Sequence, residues 1–206
     1  MKGTVKKPSA GLSRRVHFPD DEKRLPWLSA LLDCYAIGDT GVAVAVRDVE
    51  KKQKKILACR QGCDVCCHQP DIPFYPHELP GLRWFVTEKL DTAVREIVLR
   101  QLREHRKGSP CPFLVDHACA VHPVRPLACR QYNVFTAPCA PGEDPYYTRR
   151  GDVLVPLPDY TDRAFAAVAA FYGMERERDA AKVVRAIRAR IMNLQEHDWR
   201  KLFDPC

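Results

Sequence analysis

Apolar residues recur with helical spacing over most of the chain. The pattern starts at Leu25 in "LPWLSALLDCYAIG" and resumes in "VAVAVRDVEKKQKKILAC". "VAVAV" alone would suit a strand, but its charged, Lys-rich continuation favours helix. Two further helices are predicted in "HELPGLRWFVTEKL" and "DTAVREIVLRQLREHRK", the second capped by Asp91 or Thr92. Amphipathic helices are also predicted in "DYTDRAFAAVAAFYG" and "ERERDAAKVVRAIRARIMNLQEHDW". Between the two pairs the periodicity disappears. Residues 108–158 are rich in loops and carry nine prolines. A long irregular stretch in a compact domain is usually functional, disordered or ordered by something it binds. The fold class expected is mostly α: a small helical domain around an irregular cysteine-rich region, with room for one short β-hairpin. Residues 1–24 hold few apolar anchors and are expected to be a flexible basic tail, followed by one domain over 25–206.

The cysteines explain why the pattern breaks. Of ten in 206 residues, four lie in "LACRQGCDVCCHQP" as Cys59, Cys63, Cys66 and Cys67. Cys111, Cys119, Cys129 and Cys139 form a second group. On a helix the first four thiols would share one stripe, yet Cys59 and Cys67 would stand about 12 Å apart along its axis. One tetrahedral zinc needs its sulfurs within about 3.8 Å of each other. Either the helix breaks, with Gly62 the natural place, or the four thiols do not all serve one ion. Neighbouring side chains diverge in regular structure, so Cys66 and Cys67 suit two metals, or two irons of a cluster.

The second group is predicted to sit on a short hairpin turning at Asp116-His117, which would bring Cys111 near Cys119. A helix is expected to start near Pro126, placing Cys129 where the helix dipole favours thiolate. Arg125 and Arg130 flank Cys129. Eight thiolates around two zinc ions carry a formal charge of −4, and four around a [4Fe–4S]²⁺ cluster carry −2, so such a site needs nearby cations. Cys34, in an apolar helix, and the terminal Cys206 are read as bystanders. His68, His117 and His122 lie near the groups and are read as solvated or hydrogen-bonded rather than ligating.

At these residues the chain resembles a known family. "CRQGCDVCC" followed by "CPFLVDHACAVHPVRPLACRQY" is similar to the YkgJ-type cysteine-cluster proteins, to which flagellin lysine N-methylase is related. Cys59, Cys63, Cys66, Cys67, Cys111, Cys119, Arg125, Pro126, Cys129, Arg130 and Tyr132 carry the match. Val121-His122 departs from the family pattern after the hairpin cysteine, and Cys139 lies outside the part that matches. The resemblance implies zinc or iron–sulfur binding and supplies no activity.

Charge and composition narrow the alternatives. The net charge of +7 permits an acidic partner without demanding one. No signal peptide is visible and no apolar run approaches the roughly 20 residues that span a bilayer. The chain therefore reads as cytoplasmic, with no membrane partner and with thiols kept reduced for ligation. The leading expectation is a protein holding zinc or an iron–sulfur cluster through the eight cysteines, with a protein partner allowed for. The alternatives are an iron–sulfur enzyme of protein modification resembling lysine N-methylase, and a nucleic-acid-binding zinc module. A nucleic-acid partner is disfavoured, because the basic residues lack interleaved aromatics. A radical S-adenosylmethionine enzyme shares the spacing of Cys59, Cys63 and Cys66, but the alternating strands and helices of its barrel are absent.

Overall fold

A computed structural model describes residues 15–203. In chain order the elements are α1 (Pro19–Arg24), α2 (Pro26–Gln53), β1 (Pro73–Phe74), α3 (Leu79–Glu88), α4 (Thr92–Glu104), β2 (Leu114–Val115), β3 (Ala118–Cys119), α5 (Leu127–Gln131), α6 (Pro145–Thr148), α7 (Pro158–Ala167), α8 (Ala180–Arg188), β4 (Met192–Asn193) and α9 (Arg200–Phe203). The fold is mostly helical, as the periodicity requires.

The two helical segments predicted before the first cysteines are one helix. α2 runs through 28 residues, past Gly38 and Gly41, and ends at Lys54 in a left-handed conformation. Glycine weakens a helix interior, but here both glycines are contact points. A side chain at Gly38 would overlap Leu127 of α5, and a Cβ at Gly41 would lie 2.5 Å from the Tyr160 Cβ of α7. Packing against α5 and α7 decides the length of α2, overriding local propensity. By length and composition α2 is also apolar enough to cross a membrane, its best 18-residue window having a mean hydropathy of 1.3. This corrects the reading that no such run exists. In the fold, 44% of that window is buried by the rest of the chain.

The main core lies between α2, α3, α4 and the cysteine region. Leu28, Leu31, Phe74, Leu82, Phe113 and Trp199 are among its fully buried side chains. Asp91 caps α4 by accepting the Val94 amide at 3.0 Å, as expected. The last predicted helix is shorter than its pattern. α8 stops at Arg188, and β4 then pairs antiparallel with β1, Pro73 opposite Asn193. Leu194 and Trp199 beyond it are buried in the main core, so burying them wins over continuing the helix.

The N-terminal expectation also changes. Residues 1–14 lie outside the described residues, but residues 15–24 are built into the fold. Phe18 meets Trp84 edge-on, with ring centroids 4.9 Å apart. The Arg15 guanidinium donates to Glu22 at 2.8 Å and reaches Asp33 at 2.5 Å.

Candidate metal centre

The first cysteine group lies beyond the end of α2, and its local backbone is irregular. Gly62 has φ +80, and the Cys63 amide returns to the Arg60 carbonyl at 3.1 Å. That is the break the thiol spacing required, at a residue that adopts positive φ without strain. A single 3₁₀ turn follows at Val65–His68. The segment is pinned to residues 133–136: Ala58 donates to the Val134 carbonyl at 2.8 Å, and Thr136 donates to the Ile56 carbonyl at 2.8 Å. Between these two bonds the Val134 amide points at the Cys59 thiol, 3.3 Å from its sulfur. Donation from a backbone N–H to sulfur is the contact that steadies a thiolate.

The second group is placed by the hairpin read from the sequence. β2 and β3 pair with Leu114 opposite Cys119 and Val115 opposite Ala118. Asp116 and His117 have φ of 47 and 60. Two positive values in a two-residue loop make a type I′ turn, whose twist matches the strands. The Cys111 amide donates to the Cys67 carbonyl at 2.7 Å. That bond ties the second group to the first.

Eight thiols converge in this region. Cys66 lies beside Cys67, and Cys67 beside Cys111, close enough for each neighbour to shift the other's titration. Cys119 and Cys129 lie within electrostatic reach of Cys66. Cys59 feels Cys63 and Cys66, and Cys139 feels Cys59 and Cys63. The adjacent pair Cys66 and Cys67 therefore lie near each other on a single 3₁₀ turn rather than in regular structure. The neighbouring Cys67, then burial, pushes the Cys66 thiol up, and the neighbouring Cys111 pushes Cys67 up to about 12. Burial raises Cys59, Cys119 and Cys129 and takes Cys139 to about 11. The expected dipole effect on Cys129 is overridden, since α5 is one short turn and the sulfur is enclosed. Cys34 is buried inside α2 at 0% exposure, against Leu127, Phe165 and Val184 of a separate apolar cluster.

Positive charge stands on two sides of the thiols. Arg125 faces Cys119 and Cys129 from within the fold, and its buried Nε makes no hydrogen bond. Arg149 faces Cys59 and Cys139. It is fixed there by Glu143 at 2.7 Å and the Phe135 carbonyl at 3.1 Å. The sequence reading missed Arg149, which is remote from the motif and marked by no spacing. Arg130, expected beside Cys129, instead spends its guanidinium on Asp39 at 2.6 Å and on the carbonyls of Arg125 and Pro123. It still lies within reach of Cys119. The histidines also have partners: Asp64 holds His117 at 2.8 Å and His68 at 3.6 Å, and His122 contacts Arg125.

The donor set fits a soft, thiophilic metal: several thiols on irregular backbone, N–H donors to sulfur and two arginines. Among the described residues, no three His, Cys, Asp or Glu side chains stand in ready-made ion-holding geometry. The sulfurs must lose their protons and close in for a metal to be held.

Residues 58–150 match the family model CxxCxxCC, described as "Putative zinc- or iron-chelating domain". Over that stretch, a little under half of the chain, the protein is similar to this family. The match begins one residue before Cys59 and ends one residue after Arg149, so it takes in all eight clustered cysteines and both arginines that face them. Cys139, outside the motif recognised in the sequence, falls within it. No curated protein and no solved structure matches the chain.

Proposed function

We propose that the cysteine-rich region holds an iron–sulfur centre through Cys59, Cys63, Cys66, Cys67, Cys111, Cys119, Cys129 and Cys139. The observation that carries this reading is the convergence of two sequence groups, some forty residues apart, on one continuous field of thiols. A disulfide framework would pair these sulfurs, yet every cysteine among the described residues is free. Eight thiols exceed what one zinc can take, and a contiguous field of them suits multinuclear iron–sulfur chemistry. The chain's part is to supply thiolates, to offset their charge with Arg125 and Arg149, and to donate N–H to sulfur at Cys59. The metal supplies the crosslink that holds the loops together and a site for electron transfer or structural closure.

The test is isolation under anaerobic conditions with analysis for iron, zinc and acid-labile sulfide, alongside an absorbance spectrum. A brown protein with iron and sulfide in equal amounts supports the proposal. A colourless protein with zinc and no sulfide keeps the thiol site and overturns the iron–sulfur assignment.

A further inference from the structure

We propose that the end of α2 and the loop after α6 form a docking surface for another protein. The segment it receives is acidic and carries an apolar anchor residue. The surface lies beside the thiol region, and the inference does not depend on which metal the thiols take.

Charge marks the place. From Arg47 to Gly62 the chain holds six Lys and Arg residues against two acids. Lys52 is paired with Asp48 at 2.6 Å and Lys55 with Asp152 at 2.9 Å. Lys51, Lys54 and Arg60 are exposed, and none forms an ion pair among the described residues. They leave a net positive rim that attracts an acidic surface.

Apolar surface lies open among these charges. Ile56 is 74% exposed, Val155 66% and Tyr147 77%. Large apolar side chains left open together mark an interaction site. Val155 lines a groove of about 220 Å³ with Val49, Phe135, Val153, Leu157 and the charged Arg150. Ile56 follows Lys55, whose ammonium donates to the Gly151 carbonyl of the groove wall at 2.7 Å. Arg150 lies over the Tyr146 ring, 4.3 Å from its centroid, and Tyr146 meets Tyr147 edge-on. The groove is smaller than the roughly 300–1,000 Å³ of small-molecule sites, so it takes a side chain rather than a cofactor. Its walls are already fixed: the Phe135 amide donates to the Asp152 carbonyl and the Leu154 amide to the Asn133 carbonyl, both at 2.8 Å. A preformed groove spends little binding energy on ordering.

A protein fits this surface better than a nucleic acid. A phosphate backbone is neutralised by many cations along its track, and here Asp48, Glu50 and Asp152 stand among the lysines. Arg150 already occupies the Tyr146 ring, and Ile56 and Val155 offer no plane for a base to stack on. The position also favours a partner. Phe135 bridges to Leu57, two residues before Cys59, and its carbonyl accepts Arg149. A segment seated in the groove therefore stands next to the strap that carries Cys59.

The experiment is selection of random peptides displayed on phage against the full-length, anaerobically isolated protein, then fluorescence anisotropy with the selected peptide. The expected consensus is a large apolar residue flanked by Asp and Glu, with binding that weakens as salt rises. Val155→Asp, and Lys51→Glu combined with Lys54→Glu, should each bind that peptide about tenfold more weakly. All three positions are exposed, so circular dichroism and metal content should not change. No enrichment, a basic or purely apolar consensus, or unchanged affinity in both variants overturns the proposal. Single-stranded DNA that binds more tightly than the peptide and displaces it assigns the surface to nucleic acid and overturns it too. A parent protein without metal that still selects acidic, apolar peptides overturns the iron–sulfur reading alone.

Discussion

The fully buried carboxylate of Glu78 accepts the backbone amide of Leu127 at 2.6 Å, across 49 positions of sequence. Its other oxygen accepts the Tyr75 amide at 2.8 Å. One side chain thus ties the start of α3 to the short helix that carries Cys129. Burial raises the carboxyl to about 7, against the lowering effect of those two amides. Its neighbour His77 is shifted the other way. Burial lowers it to about 4; Tyr172 meets Nδ1 at 2.7 Å, but Nε2 is buried with no partner.

These two shifts predict opposing slopes in stability against pH. Between about pH 4.5 and 7 the folded chain keeps a proton on Glu78 that the unfolded chain has released, so stability falls as pH rises. Between about pH 4 and 6.5 the unfolded chain keeps a proton on His77 that the folded chain lacks, so stability rises with pH. Each effect is on the order of 3 kcal/mol over its window, and they oppose each other where the windows overlap. Denaturant unfolding of Glu78→Gln should show stability rising through pH 4–6.5, and His77→Gln should show it falling through pH 4.5–7. Identical pH profiles for the two variants would refute this.

Arg130 is only 5% exposed and pairs with Asp39 at 2.6 Å while lying over the ring of Tyr35, 4.1 Å from its centroid. Removing the carboxylate leaves a buried guanidinium short of its counter-charge. Asp39→Ala should cost about 3 kcal/mol. Asp39→Asn, which keeps an acceptor, should cost less. Equal stability of Asp39→Ala and the parent in urea denaturation is the outcome that counts against the pair.

The packed N-terminal segment reverses an expectation from sequence. Deleting residues 1–24 strips Phe18 from Trp84 and Phe85 and removes the Arg15 links to Glu22 and Asp33. A loss of about 2 kcal/mol is expected from the apolar burial alone, or a drop of about 5 °C in melting temperature for a chain of this size. An unchanged melting curve would show that the segment contributes nothing.

Much of this arrangement can be read in the sequence where the signal is local. Asp91 caps α4, Gly62 breaks the cysteine run, and Asp116-His117 turns the hairpin, because each rests on the backbone preferences of one or two residues. What could not be read depends on distant partners. Gly38 and Gly41 look like interruptions until Leu127 and Tyr160 are seen against them. Leu194 and Trp199 continue a helical pattern, yet the core they enter is built mostly from residues 28–124. Phe18 looks isolated in a polar stretch, and the aromatic pair that receives it lies 66 and 67 positions away. For the site, the cysteines announced themselves by number and spacing. Arg149 did not, since a lone arginine carries no pattern until Glu143 and Phe135 fix it beside Cys139.

The central claim is that the clustered thiols, and not Cys34, hold a metal that orders the loops around them. Metal content and amide hydrogen exchange over residues 57–69 and 108–140, measured together on Cys66→Ser, Cys129→Ser and Cys34→Ser, test it most directly. Structural metal in small domains contributes roughly 10–16 kcal/mol in apparent terms, so losing it should be plain in exchange rates. Cys66→Ser and Cys129→Ser should each lose metal and protection together, and Cys34→Ser should keep its metal and show at most a packing cost. Full metal and full protection in Cys66→Ser and Cys129→Ser, with both lost in Cys34→Ser, would contradict the account.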